Sequence, residues 1–150
     1  MICVEYAIYN QKYHDALDIY NSILLEQEAL FSETQPKSFQ YDQDKVQSTP
    51  SNPLEKYIEK KEEKKIDERL HGAEFLLQSR ERLLNAKRDE LIQSKNITDL
   101  IYRYNKIDGI KTSHIAEMMG YSTSQVYRIL SKIEQKAKDA TKCEQMRKTK

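Results

Sequence analysis

Residues 112–131, TSHIAEMMGYSTSQVYRILS, constrain the fold more than any other part of the chain. Gly120 stands where a first helix would have to end with a positive φ, which glycine adopts freely. Ser122 and Gln125 form the S-x-x-Q pattern of a capping box, so a second helix is predicted to begin at Ser122. Ala116 is small enough to let two helices cross closely. The order and spacing predict a helix-turn-helix.

Each of these two helices carries apolar residues at steps of three and four, which indicates one buried stripe per helix. The stripe of the second helix comprises Val126, Ile129, Leu130 and Ile133, and the candidates on the first are Ile115, Met118 and Met119. The predicted structural set of the motif is therefore Ile115, Ala116, Met119, Gly120, Ser122, Val126 and Ile129.

The other side of the second helix determines the chemistry that the motif can perform. Its side chains can form hydrogen bonds and none is acidic, so this side can approach a phosphodiester backbone without charge repulsion. The first turns of a recognition helix read bases in the major groove. Arg128 suits a guanine edge, and Gln125 suits adenine, although capping competes for its side chain. The alternative is an ordinary helical hairpin with a polar surface.

The candidate DNA contacts fall into two groups. The candidate base contacts are Thr123, Ser124, Gln125, Tyr127 and Arg128. The candidate phosphate contacts, placed near the expected edges of the motif, are Lys106, Lys111, Thr112, Ser131, Lys132 and Lys136.

The net charge of +1 conceals a strong asymmetry along the chain. Residues 1–53 carry three Lys and eight Asp or Glu, a net charge of −5, and residues 54–93 carry ten of each sign. Residues 94–150 carry twelve Lys or Arg against six acids, a net charge of +6. The basic excess therefore coincides with the predicted helix-turn-helix, as expected for a nucleic-acid-binding module.

The composition predicts an all-α protein without a membrane span. One third of the residues are charged, the mean hydropathy is −0.85, and there are three Gly and three Pro. No apolar run reaches the roughly 20 residues that a spanning helix requires. Cys3 and Cys143 lie at opposite ends, outside any metal-ligand spacing, and fit the reducing cytoplasm. We expect a cytoplasmic protein with no membrane partner, cofactor or metal.

The first region, residues 1–53, is predicted to hold one acidic helix and a linker. Apolar residues recur at helical steps over residues 13–31, and the apolar residues 2–9 are compatible with an extension of this helix. Residues 32–53 contain all three prolines among Ser, Thr, Asn and Gln, which is typical of a connector. Within it, Phe39, Tyr41 and Val46 alternate with polar residues and are candidates for packing on a neighbouring helix.

The second region, residues 54–93, is predicted to be one long charged helix that follows Pro53. Its apolar residues at coiled-coil spacing are Ile66, Leu70, Leu77, Leu84 and Leu91. This stripe fits either the seam of a homodimer through residues 66–91 or packing against the N-terminal helix.

The third region, residues 94–136, is predicted to be a three-helix module. Its first helix begins at Asn96 or Thr98 and ends near Asp108 and Gly109, which mark a turn before the helix-turn-helix. The basic tail, residues 137–150, is expected to fray.

The segment YRYNKIDGIKTSHIAEMMGYSTSQVYRILSKI resembles region 4 of the sigma-70 family, the helix-turn-helix that reads the −35 promoter element. The matching positions are Tyr102 to Tyr104, Gly109, Ile115-Ala116, Met119-Gly120, Ser122 and Val126, whereas His114 replaces the usual Glu. The whole chain is also similar to small phage-encoded regulators of the ArpU and RinA kind. That resemblance implies a sequence-specific double-stranded DNA-binding regulator of phage late genes, with RNA polymerase as a second partner.

Two other functions remain open from the sequence. A phage DNA-packaging protein, like the small terminase subunits, also joins a helix-turn-helix to oligomerising helices, although usually with the DNA-binding part first. An adaptor could instead bind RNA polymerase or another protein without reading DNA. An enzyme is not indicated, because the sequence lacks the usual phosphate-loop, hydrolase and metalloprotease motifs.

Overall fold

The structure is a computed structural model that describes residues 1–34 and 52–149. These ranges contain helices and no strand, which confirms the all-α fold. The helices are α1 (Ile2–Thr34), α2 (Pro53–Glu63), α3 (Ile66–Gln93), α4 (Ile97–Lys106), α5 (Thr112–Met119) and α6 (Thr123–Lys148). None of them is both long and apolar enough to cross a bilayer. The predicted packing of Phe39, Tyr41 and Val46 lies outside the described residues.

The chain forms two compact units whose boundaries differ from those drawn on the sequence. The first unit combines Met1–Asp15 with Gln78–Lys150, and the second unit is Ala16–Leu77. The first unit carries a net charge of +6 and the second a net charge of −5. Both α1 and α3 contribute residues to each unit.

The predicted single helix over residues 54–93 is wrong, because the chain breaks it into α2 and α3. Lys64 caps the end of α2, and Lys65 has a φ of +52°. Basic side chains are favoured at a helix C-terminus and acidic ones at an N-terminus. The acids Asp67 and Glu68 in the first turn of α3 fit this preference, whereas the last turn of α2 holds Lys60 and Lys61 together with two Glu and carries no net charge.

The apolar stripe of α3 packs within the chain at three of its five positions, because Leu70 is partly buried against the core of the second unit and Ile66 and Leu91 are fully buried. Ile66 is fully buried in the second unit, where it packs with Ile23 of α1 and with Ala73. Leu91 is fully buried in the core of the first unit. Since neither side chain is accessible, the intrachain alternative applies at both positions, and a homodimer seam through residues 66–91 in this register is not supported.

Helices α4, α5 and α6 supply most of the core of the first unit. The buried side chains from these helices are Ile101, Tyr102, Ile115, Ala116, Val126, Leu130 and Ile133. Ile129 and Met119 are partly buried against them, as predicted. Met118 was expected on the same stripe, but its side chain is 51% exposed. At about 3.6 residues per turn Met118 lies beside Ile115, at the edge of the buried side of α5 and not within it.

The expectation that residues 137–150 fray is wrong, because α6 continues to Lys148. Ala137 lies one turn beyond Ile133 and prolongs the buried stripe. Further along, the ammonium of Lys12 on α1 lies 2.9 Å from the carboxylate of Glu144. The N-terminal turns of α1 thus provide a partner for the C-terminal half of α6, which the local sequence could not show.

Gly120→Val should destabilise the first unit by about 1–3 kcal/mol, because Gly120 has a φ of +69° that a β-branched residue adopts only with strain. A Cβ at this position would meet no atom within 4 Å, so the backbone angle alone carries the effect. Gly120→Asn is the matched control and should cost less, since Asn tolerates the left-handed region. Urea unfolding followed by circular dichroism measures both variants, and equal stabilities would contradict the assignment.

Candidate nucleic-acid interface

The turn between α5 and α6 has the geometry that the sequence predicts. Gly120 adopts the left-handed conformation, and the carbonyl of Ala116 accepts hydrogen bonds from the N–H groups of Gly120 and Tyr121. The N–H of Gln125 donates to Ser122 Oγ at 3.2 Å, and the N–H of Ser122 donates to Gln125 Oε1 at 2.9 Å. The predicted capping box is therefore confirmed, and it fixes the residue at which α6 begins.

The preceding turn, between α4 and α5, is held by backbone and side-chain hydrogen bonds. Gly109 has a φ of +67°, and the N–H of Ile110 donates to the carbonyl of Tyr104 at 2.8 Å. Asn105 Nδ2 donates to the carbonyl of Ile110 at 3.3 Å. Arg103 donates from Nη1 to the carbonyl of Ile92 at 3.2 Å, which ties α4 to the end of α3. These bonds set the positions of α4 and α5 under α6.

The first residues of α1 complete the core beneath these helices, which the sequence did not predict. Cys3 is fully buried in the same core as Ile115 and Val126. The ring of Tyr6 contacts that of Tyr102 edge to face, with centroids 6.1 Å apart. The apolar character of residues 2–9 was the available signal, but it does not indicate which helices these residues cover.

A buried carboxylate joins α1 to α4. Asp99 Oδ1 accepts the N–H of Cys3 at 3.0 Å, and Asp99 Oδ2 accepts the hydroxyl of Ser94 at 2.7 Å. Burial raises the pKa of Asp99, but the hydrogen bonds from Cys3 and Ser94 outweigh it and leave the pKa below its ordinary value. Asp99 therefore stays ionised and caps the first turn of α1.

The thiol of Cys3 is chemically inert at neutral pH. Burial, followed by the neighbouring Asp99 carboxylate, raises the pKa of Cys3 to about 12. Since the thiolate is the reactive form, this cysteine acts as a packed core residue.

The exposed side of the first turns of α6 forms a continuous polar surface, which we call the α6 outer face. It comprises Thr123, Ser124, Tyr127, Arg128, Ser131 and Lys132, all exposed to solvent. Tyr127 is 58% exposed despite its size. Residues 123–133 contain no Asp or Glu. Across residues 1–34 and 52–149, no side-chain hydrogen bond or ion pair engages these six side chains, so their polar groups are free.

Two predicted contact residues are engaged inside the chain. The amide oxygen of Gln125 accepts the N–H of Ser122, so the side chain cannot also bind adenine through both of its amide groups. Lys106 Nζ lies 2.8 Å from the Glu134 carboxylate. Lys106 also lines a groove of about 560 Å³ between α1, α4 and α6, away from the α6 outer face.

The other candidate phosphate contacts flank the α6 outer face or begin α5. Lys136 is exposed one turn after Lys132. Lys111 is exposed at the N-cap of α5, where its side chain makes no capping hydrogen bond, and the partly buried Thr112 follows it. The structure thus places the six remaining base and phosphate candidates of the first turns of α6 on one exposed side of the helix. The side chains of Gln125 and Lys106 instead contact other residues of the chain.

No model of a known protein family, no curated protein and no solved structure matches this chain. The resemblance to region 4 of the sigma-70 family therefore rests on residues 102–133 of the sequence alone.

Proposed function

We propose that this protein is a sequence-specific double-stranded DNA-binding regulator of transcription that reads the major groove with the first turns of α6. The observation that carries the proposal is the α6 outer face, because it is exposed, polar and free of carboxylates, and no side chain in residues 1–34 and 52–149 engages its polar groups. A helix with such a face can enter the major groove and exchange its water contacts for contacts with bases and phosphates.

Arg128 is the principal base reader in this proposal. Its guanidinium is exposed in the second turn of α6 and can bind the two acceptors of guanine through two parallel hydrogen bonds. Thr123, Ser124 and Tyr127 surround it with further donors and acceptors. Binding to bases and phosphates requires no catalytic group, so we propose that the protein is not an enzyme.

Lys132, Lys136 and Lys111 are the phosphate contacts that the geometry favours, since each ammonium is exposed. Their number is small, and a unit with a net charge of +6 provides the long-range attraction that brings it to DNA. The resemblance to sigma region 4 and to phage regulators suggests that the target is promoter DNA. Binding should therefore be measured both with and without RNA polymerase. Lys106 is not one of these contacts, because its ammonium is paired with the Glu134 carboxylate at 2.8 Å.

The test begins with selection of duplexes from a random pool by the full chain, followed by titration of the selected sequence. Arg128→Ala should weaken binding by about 1–3 kcal/mol and relax selectivity at one base pair. Lys132→Ala should weaken binding to all sequences alike and reduce the log–log salt slope by about one unit. Fluorescence anisotropy at several salt concentrations measures both effects.

Two matched controls separate the α6 outer face from general charge. Lys106→Ala should change binding much less than Lys132→Ala, because its ammonium is already paired. Arg88→Ala, on the exposed surface of α3, should leave the selectivity unchanged. If the full chain enriches no sequence, with or without RNA polymerase, the DNA-reading proposal is wrong and a protein-binding adaptor is the better interpretation.

A further inference from the structure

The groove between α1, α4 and α6 has a polar group at its floor that no other described residue engages. Tyr102 on α4 lines this groove, and only 4% of the residue is exposed. Its hydroxyl makes no hydrogen bond within residues 1–34 and 52–149. In those ranges the one fully enclosed polar side-chain atom without a partner is Arg103 Nε, so the unpaired Tyr102 oxygen is reached from the groove. We call this space the Tyr102 groove.

The Tyr102 hydroxyl is protonated at neutral pH and can both donate and accept a hydrogen bond. Burial raises the pKa of Tyr102, and the neighbouring Tyr6 and the Glu134 carboxylate raise it further. A polar group this deeply buried normally has a hydrogen-bond partner, because its desolvation is otherwise uncompensated. A polar atom of a ligand in the groove would supply the partner that the described part of the chain does not.

The lower walls of the Tyr102 groove are apolar and belong entirely to the first unit. Ala7 and Ile8 contribute from α1, and Ala137 contributes from α6. Ala137 is 8% exposed, and Ala7 and Ile8 are partly buried. Because two of these three residues are alanines, space remains between the helices that larger side chains would fill. An apolar enclosure with a few polar groups is the usual construction of a small-molecule site.

The charges around the Tyr102 groove favour an anion. Of the two carboxylates that line it, Glu134 lies 2.8 Å from the ammonium of Lys106, and Asp15 accepts a side-chain amide of the preceding turn at 2.9 Å. Lys138 and Lys142 also line the groove, one turn apart on α6. Both are exposed, and neither forms an ion pair within residues 1–34 and 52–149. Two uncompensated ammonium groups therefore stand at the rim of an apolar space.

We propose that the Tyr102 groove binds a small organic anion that has an apolar body and one further hydrogen-bonding group. The apolar body covers the alanines, the further group bonds to the Tyr102 hydroxyl, and the negative charge lies beside Lys138 and Lys142. The volume of about 560 Å³ lies within the range of about 300–1,000 Å³ that is common for such sites. The lining residues of α1, positions 7 to 15, span about 12 Å, which fits one or two rings with a short acidic group.

The first experiment titrates the isotope-labelled full chain with three probes and follows its amide signals by NMR. The probes are indole-3-acetate, 4-hydroxyphenylacetate and 6-hydroxy-2-naphthoate, each compared with its neutral amide. At least one anion should shift the signals of Ala7, Tyr102 and Ala137 and bind about fivefold to tenfold more tightly than its amide, since exposed ion pairs contribute modestly. If no anion shifts these signals in the millimolar range, or if acid and amide bind equally, the proposal is wrong.

Tyr102→Phe removes the hydroxyl at the floor and keeps the ring. The affinity for the anion that binds the wild type should fall about threefold to tenfold, the value of one hydrogen bond. The thermal stability of the free protein should not fall, because no described residue loses a hydrogen bond. Unchanged affinity would contradict the contact with Tyr102, and a less stable free protein would contradict the unpaired state of the hydroxyl.

Lys138→Gln with Lys142→Gln tests the charge at the rim. The double change should weaken binding of the anion about fivefold to tenfold and abolish its advantage over the amide. Arg88→Gln with Lys95→Gln is the matched control, because it removes the same charge from exposed positions of the first unit that do not line the groove. An equal loss in the control would reduce the effect to net charge and overturn the proposed site. None of these measurements involves DNA, so their failure is independent of the proposed function.

Discussion

A fragment of residues 94–150 will be largely unfolded in isolation, although it contains all of α4, α5 and α6. The core of the first unit also requires Leu91 and Cys3, with Ile2, Val4, Tyr6 and Ala7 packed partly against it. Each fully buried apolar side chain contributes about 1.5–3 kcal/mol. Because whole domains are stable by about 5–15 kcal/mol, the loss of these residues removes most of the stability.

Circular dichroism and urea titration compare this fragment with the full chain. The fragment should show low helicity and no cooperative transition, and a chain that starts at Ala16 should lose the transition of the first unit. A chain that ends at Gln145 is the control, because the described residues that it lacks, 146–149, are exposed. A cooperatively folded 94–150 fragment would show that the contacts of α1 are dispensable.

Asp99→Ala should destabilise the protein by about 2–3 kcal/mol. The change leaves the buried N–H of Cys3 without its acceptor and removes the charge that caps α1. Asp99→Asn keeps an oxygen at the same place and should cost less. Asp89→Asn, on the exposed surface of α3, should have little effect. Equal effects of Asp99→Ala and Asp89→Asn would exclude a structural role for the buried carboxylate.

The contribution of the Asp99 charge should also depend on pH. Burial raises the pKa of Asp99, but the hydrogen bonds from Cys3 and Ser94 together outweigh this effect, so the pKa in the folded chain lies below its ordinary value. The stabilisation is therefore fully present above the unfolded pKa of about 3.9 and is lost as the pH falls through the folded pKa. The difference in unfolding free energy between wild type and Asp99→Asn should be constant from pH 7 to 5 and shrink below about pH 4.

Local signals in the sequence were sufficient to predict where α4 and α6 begin and where α5 ends. Gly120 ends α5 with a positive φ and Ser122 caps α6, because these conformations depend on the residue itself and on neighbours within three positions. Asn96, one of two predicted starts of α4, is the N-cap, and its side chain accepts the N–H of Thr98. The polar character of the α6 outer face followed from helical spacing for the same reason.

Local signals failed where a helix depends on a distant segment. The tail after Ile133 reads as polar and basic, yet α6 extends through it, with Lys12 of α1 beside Glu144. The stripe of α3 is equally compatible with two partners in the sequence, and the burial of Ile66 and Leu91 identifies the partner at those two positions as the chain itself. Spacing along one helix shows which side is apolar, but not what covers that side.

Some features of the candidate site follow from the sequence alone, and others are visible only in the tertiary structure. The sequence by itself determined the all-α composition, the turn at Gly120, the capping box and an α6 surface without acids, since all of these follow from residue type and helical periodicity. Only the tertiary structure showed that Glu134 neutralises Lys106 and that Asp99 joins α4 to the first turn of α1. Asp99 and Cys3 are 96 positions apart, and a contact of that separation is set by how helices pack around a shared core.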